Sequence, residues 1–318
     1  MRIINLLFLF LPFTLLGQQG PQNSLYMLDK YHFNPAYAGM DYSLSMNAVI
    51  RTQWSGIEGN PKSQNINAHL PFYKWKGSLG IQVYNSSLGA FKNTGITTSY
   101  GYIIDNSSGL YSAAVRLGYS QKSLNGEQII TPDGNYEGSN VEHNDPILGN
   151  NLGMGGHLTW SLGLYTRNRL LEGGIAVYRF PELKINLDNT GYTLNTEVTA
   201  LIQKKFKIFE VVELQPSLLV KTDLLEWQGE ASVLVKYNGN VFGGLGYRGF
   251  TPNSTDAIIF IAGMKLNPNY TIAYSYDLGM SDLRYSTEGT HEIHLNYNLN
   301  KLIGVGLNPK VIYTPRHL

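Results

Sequence analysis

The sequence predicts an all-β fold, a transmembrane antiparallel outer-membrane β-barrel of about 14 strands with an N-terminal signal peptide. Three observations predict it. Apolar and polar residues alternate with period two through most of the chain, the connections between these segments alternate between short and long, and the first residues have the features of a secretory signal. No amphipathic helical pattern of ordinary length competes with this interpretation.

The N-terminus has the organisation of a signal peptide. Arg2 precedes an apolar run over Ile3–Leu16, and the small Gly17 follows. The run falls short of the roughly 20 residues that a membrane-spanning helix needs, so we expect cleavage near 17/18 and not an anchoring helix. The predicted divisions are a signal peptide (1–17), an N-terminal segment leading into the barrel (18–41), the barrel (42–300) and a C-terminal tail (301–318).

The N-terminal segment contains one specific stretch, "HFNPAYAG" at residues 32–39. Its Asn-Pro pair favours an extended or turn conformation, its two alanines permit close packing, and its final glycine tolerates a positive φ. We therefore expect a junction between the mature N-terminus and the barrel wall, with Tyr37 at the periplasmic rim or filling the barrel mouth. A plain lead-in to the first strand is the alternative.

The strand pattern continues from residue 42 almost to the end. In the first predicted strand Met46 and Ile50 share an apolar face, while Asn47 and Arg51 share the polar one. Charged residues stay almost entirely off the apolar faces. The predicted strands cover residues 42–54, 62–72, 76–86, 94–104, 110–121, 153–166, 170–180, 193–206, 213–224, 227–238, 241–249, 256–266, 269–278 and 290–300.

The connections favour a barrel over a soluble sandwich. Tight connections are predicted at 73–75, 105–109, 166–169, 238–240 and 267–269, with a slightly longer one at 207–212. Longer ones are predicted at 55–61, 87–93, 121–152, 181–192, 250–255 and 279–289. This segregation is typical of outer-membrane barrels with both termini in the periplasm, whereas a sandwich has no reason to segregate loop lengths. The 22 tyrosines suit the two bilayer interfaces or, alternatively, are ordinary strand formers.

Composition excludes several kinds of chemistry. A net charge of +1 with 15% charged residues gives no basic surface for nucleic acid. With no cysteine, the chain has no disulfides, thiolate nucleophile or cysteine-bound metal. The seven histidines lack metal-site spacing, and the glycines lack the Lys-Ser/Thr of a phosphate-binding loop. We therefore expect no cofactor and no metal.

A barrel hydrolase is a third hypothesis. His294 and Glu292 share the polar face of the last predicted strand, and Asp277 on the preceding strand points the same way. No G-x-S-x-G pattern accompanies them. In a polar interior such side chains usually belong to a hydrogen-bonded network, so we expect the protein not to be an enzyme.

Three stretches together carry a family resemblance. "PQNSLYMLDKYHFNPAYAG" contains Asn34, Pro35, Ala36, Tyr37 and Gly39. "RTQWSGIEGNPKSQNINAHLP" contains Arg51, Gln53, Trp54, Gly56, Gly59, Pro61 and Lys62. "YTIAYSYDLGMSDLRYSTEGTHEIHLNYNL" contains Tyr274, Ser275, Tyr276, Asp277, Gly289, His291 and Glu292. In order and spacing they resemble the PorP/SprF membrane proteins of the bacterial type IX secretion system, and weaker similarity spans the rest of the mature chain.

The resemblance implies a role that composition and spacing do not indicate. It implies a non-enzymatic outer-membrane barrel that supports secretion or cell-surface retention of client proteins such as adhesins, in a system associated with gliding motility. The implied partners are outer-membrane lipid, a secreted adhesin-like client and other type IX components, with no nucleic acid. The family brings no catalytic residues to carry over, so the motif positions are expected to be structural or partner-binding.

The main alternative is an outer-membrane channel or transporter for small solutes, since a barrel of this size encloses a lumen. The charges predicted to face that lumen are mixed in sign, which suits a closed salt-bridged interior at least as well as a selective pore. They are Arg51, Arg116, Lys221, Asp223, Glu230, Lys236, Arg248 and Asp277. On the lead hypothesis, the long connections 121–152 and 55–61 are expected to bind the client, because long loops on a rigid scaffold commonly carry recognition.

Overall fold

The computed structural model describes residues 22–72, 76–126, 129–135, 143–144, 152–180, 183–187, 190–249 and 255–303. The predicted signal peptide (1–17) and most of the predicted C-terminal tail (301–318) lie outside the described residues. So do parts of the long connection 121–152.

The described chain is built mainly of antiparallel strands. They are β1 Ser45–Thr52, β2 Lys62–Phe72, β3 Gly77–Leu88, β4 Phe91–Asn106, β5 Gly109–Asn125, β6 Leu152–Asn168, β7 Glu172–Tyr178, β8 Leu183–Leu187, β9 Thr190–Leu194, β10 Glu197–Gln203, β11 Phe206–Phe209, β12 Val212–Thr222, β13 Trp227–Tyr237, β14 Val241–Arg248, β15 Ala257–Lys265, β16 Tyr270–Gly279 and β17 Thr290–Asn298. Each of the fourteen predicted strands is present, with its ends displaced by a few residues.

Fourteen of these strands close into a barrel. Neighbours along the chain pair antiparallel, β1 pairs with β17, and β10 pairs with both β7 and β12. The short β11 extends the pairing along β12, and β8 with β9 forms a separate hairpin. Closure leaves no open strand edge, which a lipid environment requires because it offers no hydrogen-bond partners to an unpaired backbone. The predicted barrel of about 14 strands is confirmed.

The alternating faces have the polarity of a membrane barrel. In β1, Met46 and Ile50 are exposed on the outer surface, while Asn47 and Arg51 are buried inside. A similar alternation runs through most of the barrel strands, with outer faces that are mainly apolar. The inner faces are mainly polar but also carry buried apolar residues such as Leu234 and Ile259. Of the charges predicted for the lumen, Asp223 is an exception, since it lies in the β12–β13 connection.

Connections of different length gather at the two ends of the barrel. We call the end with the connections after β1, β5, β7, β14 and β16 the long-loop end, and the opposite one the short-turn end. Two predicted connections are wrong. The predicted loop 87–93 is a two-residue turn, because β3 and β4 pair up to Leu88 and Phe91 and Gly89 adopts a φ of 52°. The predicted connection 207–212 is also too long, because β11 continues to Phe209 and only two residues separate it from β12.

Residues 22–42, which we call the lumen segment, form the remaining part of the core. They include the four-residue helix α1 (Lys30–Phe33) and a 3-10 turn (Pro35–Tyr37). No helix in the described ranges is long and apolar enough to cross a membrane. Instead of forming a simple lead-in to β1, the segment is almost entirely buried.

The lumen segment runs from one end of the barrel to the other. Gln22 bonds to Arg248, the last residue of β14 at the long-loop end. Tyr42 bonds to Asp105 beside the β4–β5 turn at the short-turn end, where Ile303 also donates its N–H to the carbonyl of Tyr42. The two described ends of the chain therefore lie at opposite ends of the barrel. The termini themselves lie outside the described residues, so the expectation that both lie in the periplasm stays a prediction.

Candidate functional site

The lumen segment is the feature that distinguishes this barrel from an open pore. Its hydrogen bonds reach side chains or backbone groups on β1 to β7, β10, β12, β13, β14, β16 and β17. On the remaining barrel strand, Ile259 and Ile261 of β15 join its buried apolar cluster. A stretch of this length that touches the whole ring lies inside it, so the segment fills the lumen.

Five charged side chains form what we call the rim cluster: Arg51, Glu230, Arg248, Asp277 and Glu292. Arg51 bonds to Asp277 and to Glu292 at 2.8 Å each, and Arg248 bonds to Glu230 at 2.7 Å and to Asp277 at 2.9 Å. All five side chains are at most 5% exposed. Each residue lies within four positions of its strand's end at the long-loop end. Such pairs persist without water because each charge has a bonded partner.

The rim cluster binds the lumen segment at Ser24. The hydroxyl of Ser24 donates to Asp277 at 2.7 Å and accepts from Arg51 at 2.8 Å and from Arg248 at 2.6 Å. Its backbone N–H donates to Glu292 Oε2 at 2.8 Å, and the next N–H, from Leu25, donates to Oε1 at 2.9 Å. A hydroxyl offers one donor and two acceptor positions, so this one is fully used.

A second polar group lies near the short-turn end, and we call it the turn cluster: Lys30, Tyr37, Asp41, Arg167 and Glu172. Glu172 Oε1 bonds to Lys30 at 2.9 Å and to Arg167 at 3.0 Å. The hydroxyl of Tyr37 donates to Asp41 at 2.7 Å and accepts from Arg167 at 3.0 Å. Both ends of the lumen segment are thus tied to the wall by charge-assisted hydrogen bonds.

Asp29 anchors the middle of the segment without a cation. Its carboxylate accepts hydrogen bonds from Asn67 at 2.8 Å and Asn65 at 3.2 Å on β2, and from the N–H of His32 at 3.4 Å. The asparagine amides therefore replace the water that this carboxyl loses.

The stretch "HFNPAYAG" has a structural explanation. Asn34 caps the 3-10 turn, because its Oδ1 accepts from the N–H of Ala36 at 2.9 Å, and its Nδ2 donates to the carbonyls of Leu164 and Ile175 at 3.0 Å each. Pro35 starts this turn. The carbonyls accepting from Asn34 belong to paired residues of β6 and β7.

Glycines make room for this stretch. A Cβ at Gly163 of β6 or at Gly174 of β7 would collide with the side chain of Asn34. Gly39 has a φ of 72°, and a Cβ there would lie 2.7 Å from the Cβ of Ser78. Tyr37 is buried in the turn cluster, which matches the alternative in which it fills the barrel mouth.

The remaining motif positions fall in two further places. Gln53, Trp54, Gly56, Gly59 and Pro61 form the β1–β2 connection at the long-loop end, where the N–H of Gln53 donates to the carbonyl of Pro61 at 2.8 Å. Trp54, Gly56 and Gly59 all have positive φ. This loop is closed by backbone geometry as well as by its own hydrogen bonds.

Tyr274, Tyr276 and His291 lie on the outer face of β16 and β17. The Tyr274 hydroxyl lies 2.6 Å from Nδ1 of His291, and the rings of Tyr276 and His291 have centroids 5.3 Å apart. These three residues are therefore separate from the lumen, although Asp277 and Glu292 beside them in sequence point inward. Inside the lumen, the motif positions from separate stretches that the structure brings together are Arg51, Asp277 and Glu292.

The sequence did not single out Ser24, Lys30, Arg167 or Glu172. One feature of the sequence could have indicated buried polar contacts in this segment, since Asp29 and Lys30 place charges among residues that are otherwise mostly apolar. The hydrolase hypothesis finds no such assembly: Asp277 and Glu292 bond to Arg51, and Nε2 of His294 lies 3.1 Å from Oδ1 of Asn47. Among the described residues no group of three or more potential metal ligands was found.

The comparisons give the following matches. The model of the family "Type IX secretion system membrane protein PorP/SprF" matches residues 15–297. A comparison with curated proteins gave no match. Among solved structures, Omp33 of Acinetobacter baumannii is 8% identical, with 81% of this chain and 98% of that chain covered and a TM-score of 0.46.

Two further structures are similar at comparable levels. The translocator domain of the autotransporter NalP from Neisseria meningitidis is 11% identical, with 80% of this chain and 88% of that chain covered and a TM-score of 0.42. A deletion mutant of the monoaromatic hydrocarbon channel TodX is 10% identical, with 86% and 92% covered and a TM-score of 0.40. Because the family model covers most of the chain, the chain belongs to the PorP/SprF family of type IX secretion system membrane proteins.

Proposed function

We propose that this protein is a non-enzymatic outer-membrane scaffold of the type IX secretion system that supports secretion or cell-surface retention of adhesin-like client proteins. One observation carries the proposal beyond family membership: the lumen is filled by a segment that is ion-paired or hydrogen-bonded at both ends. A filled barrel presents its loops on a rigid support, and rigid supports with long loops commonly serve recognition. Its partners in this role are the client, other secretion components and the surrounding lipid.

The proposed orientation places the short turns in the periplasm and the long loops outside the cell, as in other outer-membrane barrels. Ile303, the last described residue, then lies on the periplasmic side, because its N–H donates to the carbonyl of Tyr42 at the short-turn end. In this orientation the connections 55–61 and 121–152 face outward. They are the proposed client-binding surface.

Loop exchange in the native host tests the proposal. Both connections are replaced by two-residue Asn-Gly turns in a strain that lacks the wild-type gene, and surface proteins are then counted by labelling of intact cells. We expect the client to disappear from the surface in this variant and in the gene deletion, while the barrel still shows heat-dependent gel mobility. The matched control shortens the connection 250–255, which is similar in length to 55–61, and should keep the client. Unchanged display in the double exchange would contradict the proposal.

The channel alternative predicts a different result. A diffusion pore needs a continuous water path, and the lumen segment occupies that path from Gln22 to Tyr42. We therefore expect no steady single-channel conductance in planar bilayers. Steady conductance of the intact protein would favour transport over scaffolding. Loss of a measured hydrolase activity in His294→Ala, with activity kept in Lys236→Met, would argue against the non-enzymatic assignment.

A further inference from the structure

A polar cavity of about 160 Å³, which we call the side cavity, lies between the lumen segment and the inner faces of β2–β7 and β10. Ser63, Ser86 and Asn93 line its mouth, and each lies within three residues of a strand end at the long-loop end. His32 and Phe33, which lie further along the segment toward the short-turn end, line its deeper part. The side cavity is therefore a recess that opens toward the long loops and ends on the lumen segment.

Strand register gathers polar side chains on the wall of the side cavity. Inward-facing residues of five neighbouring strands stand side by side in one layer. The layer consists of Asn65, Tyr84, Gly95, Ser120 and His157. The glycine leaves room for the ring of Tyr84, because a Cβ at Gly95 would collide with it. The wall thus offers amide, hydroxyl and aromatic groups to one small space.

The charged side chains of the side cavity are already paired inside the protein. Arg179 Nη2 bonds to Glu197 Oε2 at 2.6 Å. Arg116 donates from Nη1 to the carbonyl of His32 at 3.2 Å and from Nη2 to the carbonyl of Tyr31. Phosphate and carboxylate ligands bind best where a guanidinium or ammonium group faces them, so this cavity favours an uncharged ligand.

Uncharged groups of the side cavity are left without partners. Asn23 is only 8% exposed, yet its side-chain amide has no hydrogen-bond partner within the described part of the protein. Among the described residues the same holds for the hydroxyls of Ser63, Tyr84, Ser86 and Thr159. The polar atoms of these side chains remain accessible from the cavity. Because folded proteins rarely leave a buried amide unsatisfied, Asn23 indicates a ligand or water at this place.

The size and the chemistry of the side cavity fit one sugar ring. A cavity of about 150 Å³ holds a benzene ring, so the side cavity holds a single six-membered ring whose larger substituents extend toward the mouth. Amide and hydroxyl side chains each offer donor and acceptor positions, which match the hydroxyl groups of a sugar. The rings of Tyr84 and Phe33 offer apolar surface to the C–H groups of the same sugar.

We propose that the side cavity binds one neutral sugar unit that enters from the long-loop end, with Asn23, Tyr84 and Thr159 as hydrogen-bonding groups. The sugar is a free monosaccharide or the terminal unit of a glycan, since both present the same ring. Among the described residues, none from the connections 55–61 and 121–152 lines the cavity. The sugar site is therefore separate from the proposed client-binding surface.

Saturation-transfer NMR on the purified protein, in a detergent without a sugar headgroup, tests the proposal. The probes are glucose, galactose, mannose and N-acetylglucosamine at millimolar concentration. The control is mannitol, which carries similar hydroxyl groups on an open chain. We expect saturation transfer to at least one of the sugars and none to mannitol. Transfer to none of the sugars, or equal transfer to mannitol, would overturn the inference and leave the cavity to water.

Substitutions inside the side cavity locate the binding. Thr159→Val keeps the shape of the side chain but removes its hydroxyl, and Asn23→Ala removes the amide. Each should weaken sugar binding about three- to tenfold, as expected for the loss of one hydrogen bond. Ser86→Phe should abolish binding, because the added ring closes the mouth.

The matched control is Thr98→Val on the exposed outer face of β4, which should bind sugar as the wild type does. Heat-dependent gel mobility shows which variants fold, and any folded cavity variant decides the question. Unchanged sugar binding in the folded cavity variants, or equal weakening in Thr98→Val, would overturn the assignment to this cavity.

Competition identifies the source of the sugar. Glycans released from cell-surface proteins, and polysaccharide released from the lipopolysaccharide of the same cells, are added separately to the NMR sample. Displacement of the bound probe by one of them supports the inference and identifies that source, whereas displacement by neither assigns the cavity to free sugars. Because the measurement uses no client protein, its failure leaves the proposed function intact, and failure of the loop-exchange test leaves this inference intact.

Discussion

The two charged clusters that hold the lumen segment differ in which part of the protein, the barrel wall or the segment itself, contributes the charged residues. In the rim cluster all five charged residues belong to wall strands, and the segment contributes uncharged groups: the hydroxyl of Ser24, two backbone N–H groups and the amide oxygen of Gln22. In the turn cluster the segment itself contributes Lys30, Tyr37 and Asp41 to the wall residues Arg167 and Glu172. The rim cluster is also less exposed to solvent, since the side chain of Arg167 in the turn cluster is 30% exposed.

This difference indicates two ways of retaining a segment inside a barrel. The rim cluster is a ready-made receptor for backbone, because its ion pairs join β1, β13, β14, β16 and β17 to one another without the segment. The turn cluster is complete only when the segment is in place. We therefore expect changes in the rim cluster to damage the wall, and changes in the turn cluster to loosen the segment.

The largest effect is expected for Arg51→Met. It leaves Glu292, which is 0% exposed, without the guanidinium that pairs with it, and leaves Asp277 with Arg248 alone. Removing one partner of a buried ion pair costs about 3–5 kcal/mol. Urea unfolding in detergent, followed by the gel mobility of unheated protein, should show this loss in the free energy of unfolding.

The control for Arg51→Met is Lys62→Met at the neighbouring loop, where the side chain is exposed. It should change the free energy of unfolding by less than about 0.5 kcal/mol. A loss from Arg51→Met no larger than that of the control would contradict the view that the rim cluster stabilises the wall.

A smaller effect is expected for Lys30→Met. Glu172 keeps hydrogen bonds from Arg167 at 3.0 Å, Tyr165 at 3.1 Å and Gln203 at 2.9 Å, so its charge stays compensated. We expect a loss of about 1.5–3 kcal/mol, the usual range for a hydrogen bond to a charged group. The same variant should increase the protease sensitivity of the lumen segment. A loss equal to that of Arg51→Met would remove the distinction between the two clusters.

The barrel itself was predictable from the sequence because its signal is local. Period-two alternation requires only that lipid lies on one face and polar contacts on the other, as Met46 and Asn47 show. The loop at 87–93 was mistaken for a long connection because Gly89 allows a two-residue turn, and polar residues such as Ser87 and Asn93 continue the strands.

The filled lumen was not predictable in the same way. Its contacts join residues that are distant in sequence, by as many as 268 positions between Ser24 and Glu292, and no periodicity indicates such a pairing. The mixed charges of the predicted lumen set suited a salt-bridged interior at least as well as a selective pore, and four of its members, Arg51, Glu230, Arg248 and Asp277, form ion pairs in the structure. These charges did not indicate the residue that they bind, because the residue at the centre of the rim cluster, Ser24, is a serine outside the strands.

That serine provides the finest test of the comparison. Ser24→Ala removes three hydrogen bonds at the centre of the rim cluster but leaves every ion pair between wall strands in place. We expect a loss of about 1 kcal/mol, smaller than either charge removal. In the double variant with Arg51→Met, the loss in the free energy of unfolding should be smaller than the sum of the two single losses, because the hydroxyl and the guanidinium belong to one hydrogen-bond network. If the two losses were strictly additive in the same urea series, Ser24 would be held by its backbone alone, and the rim cluster would bind the segment through Glu292.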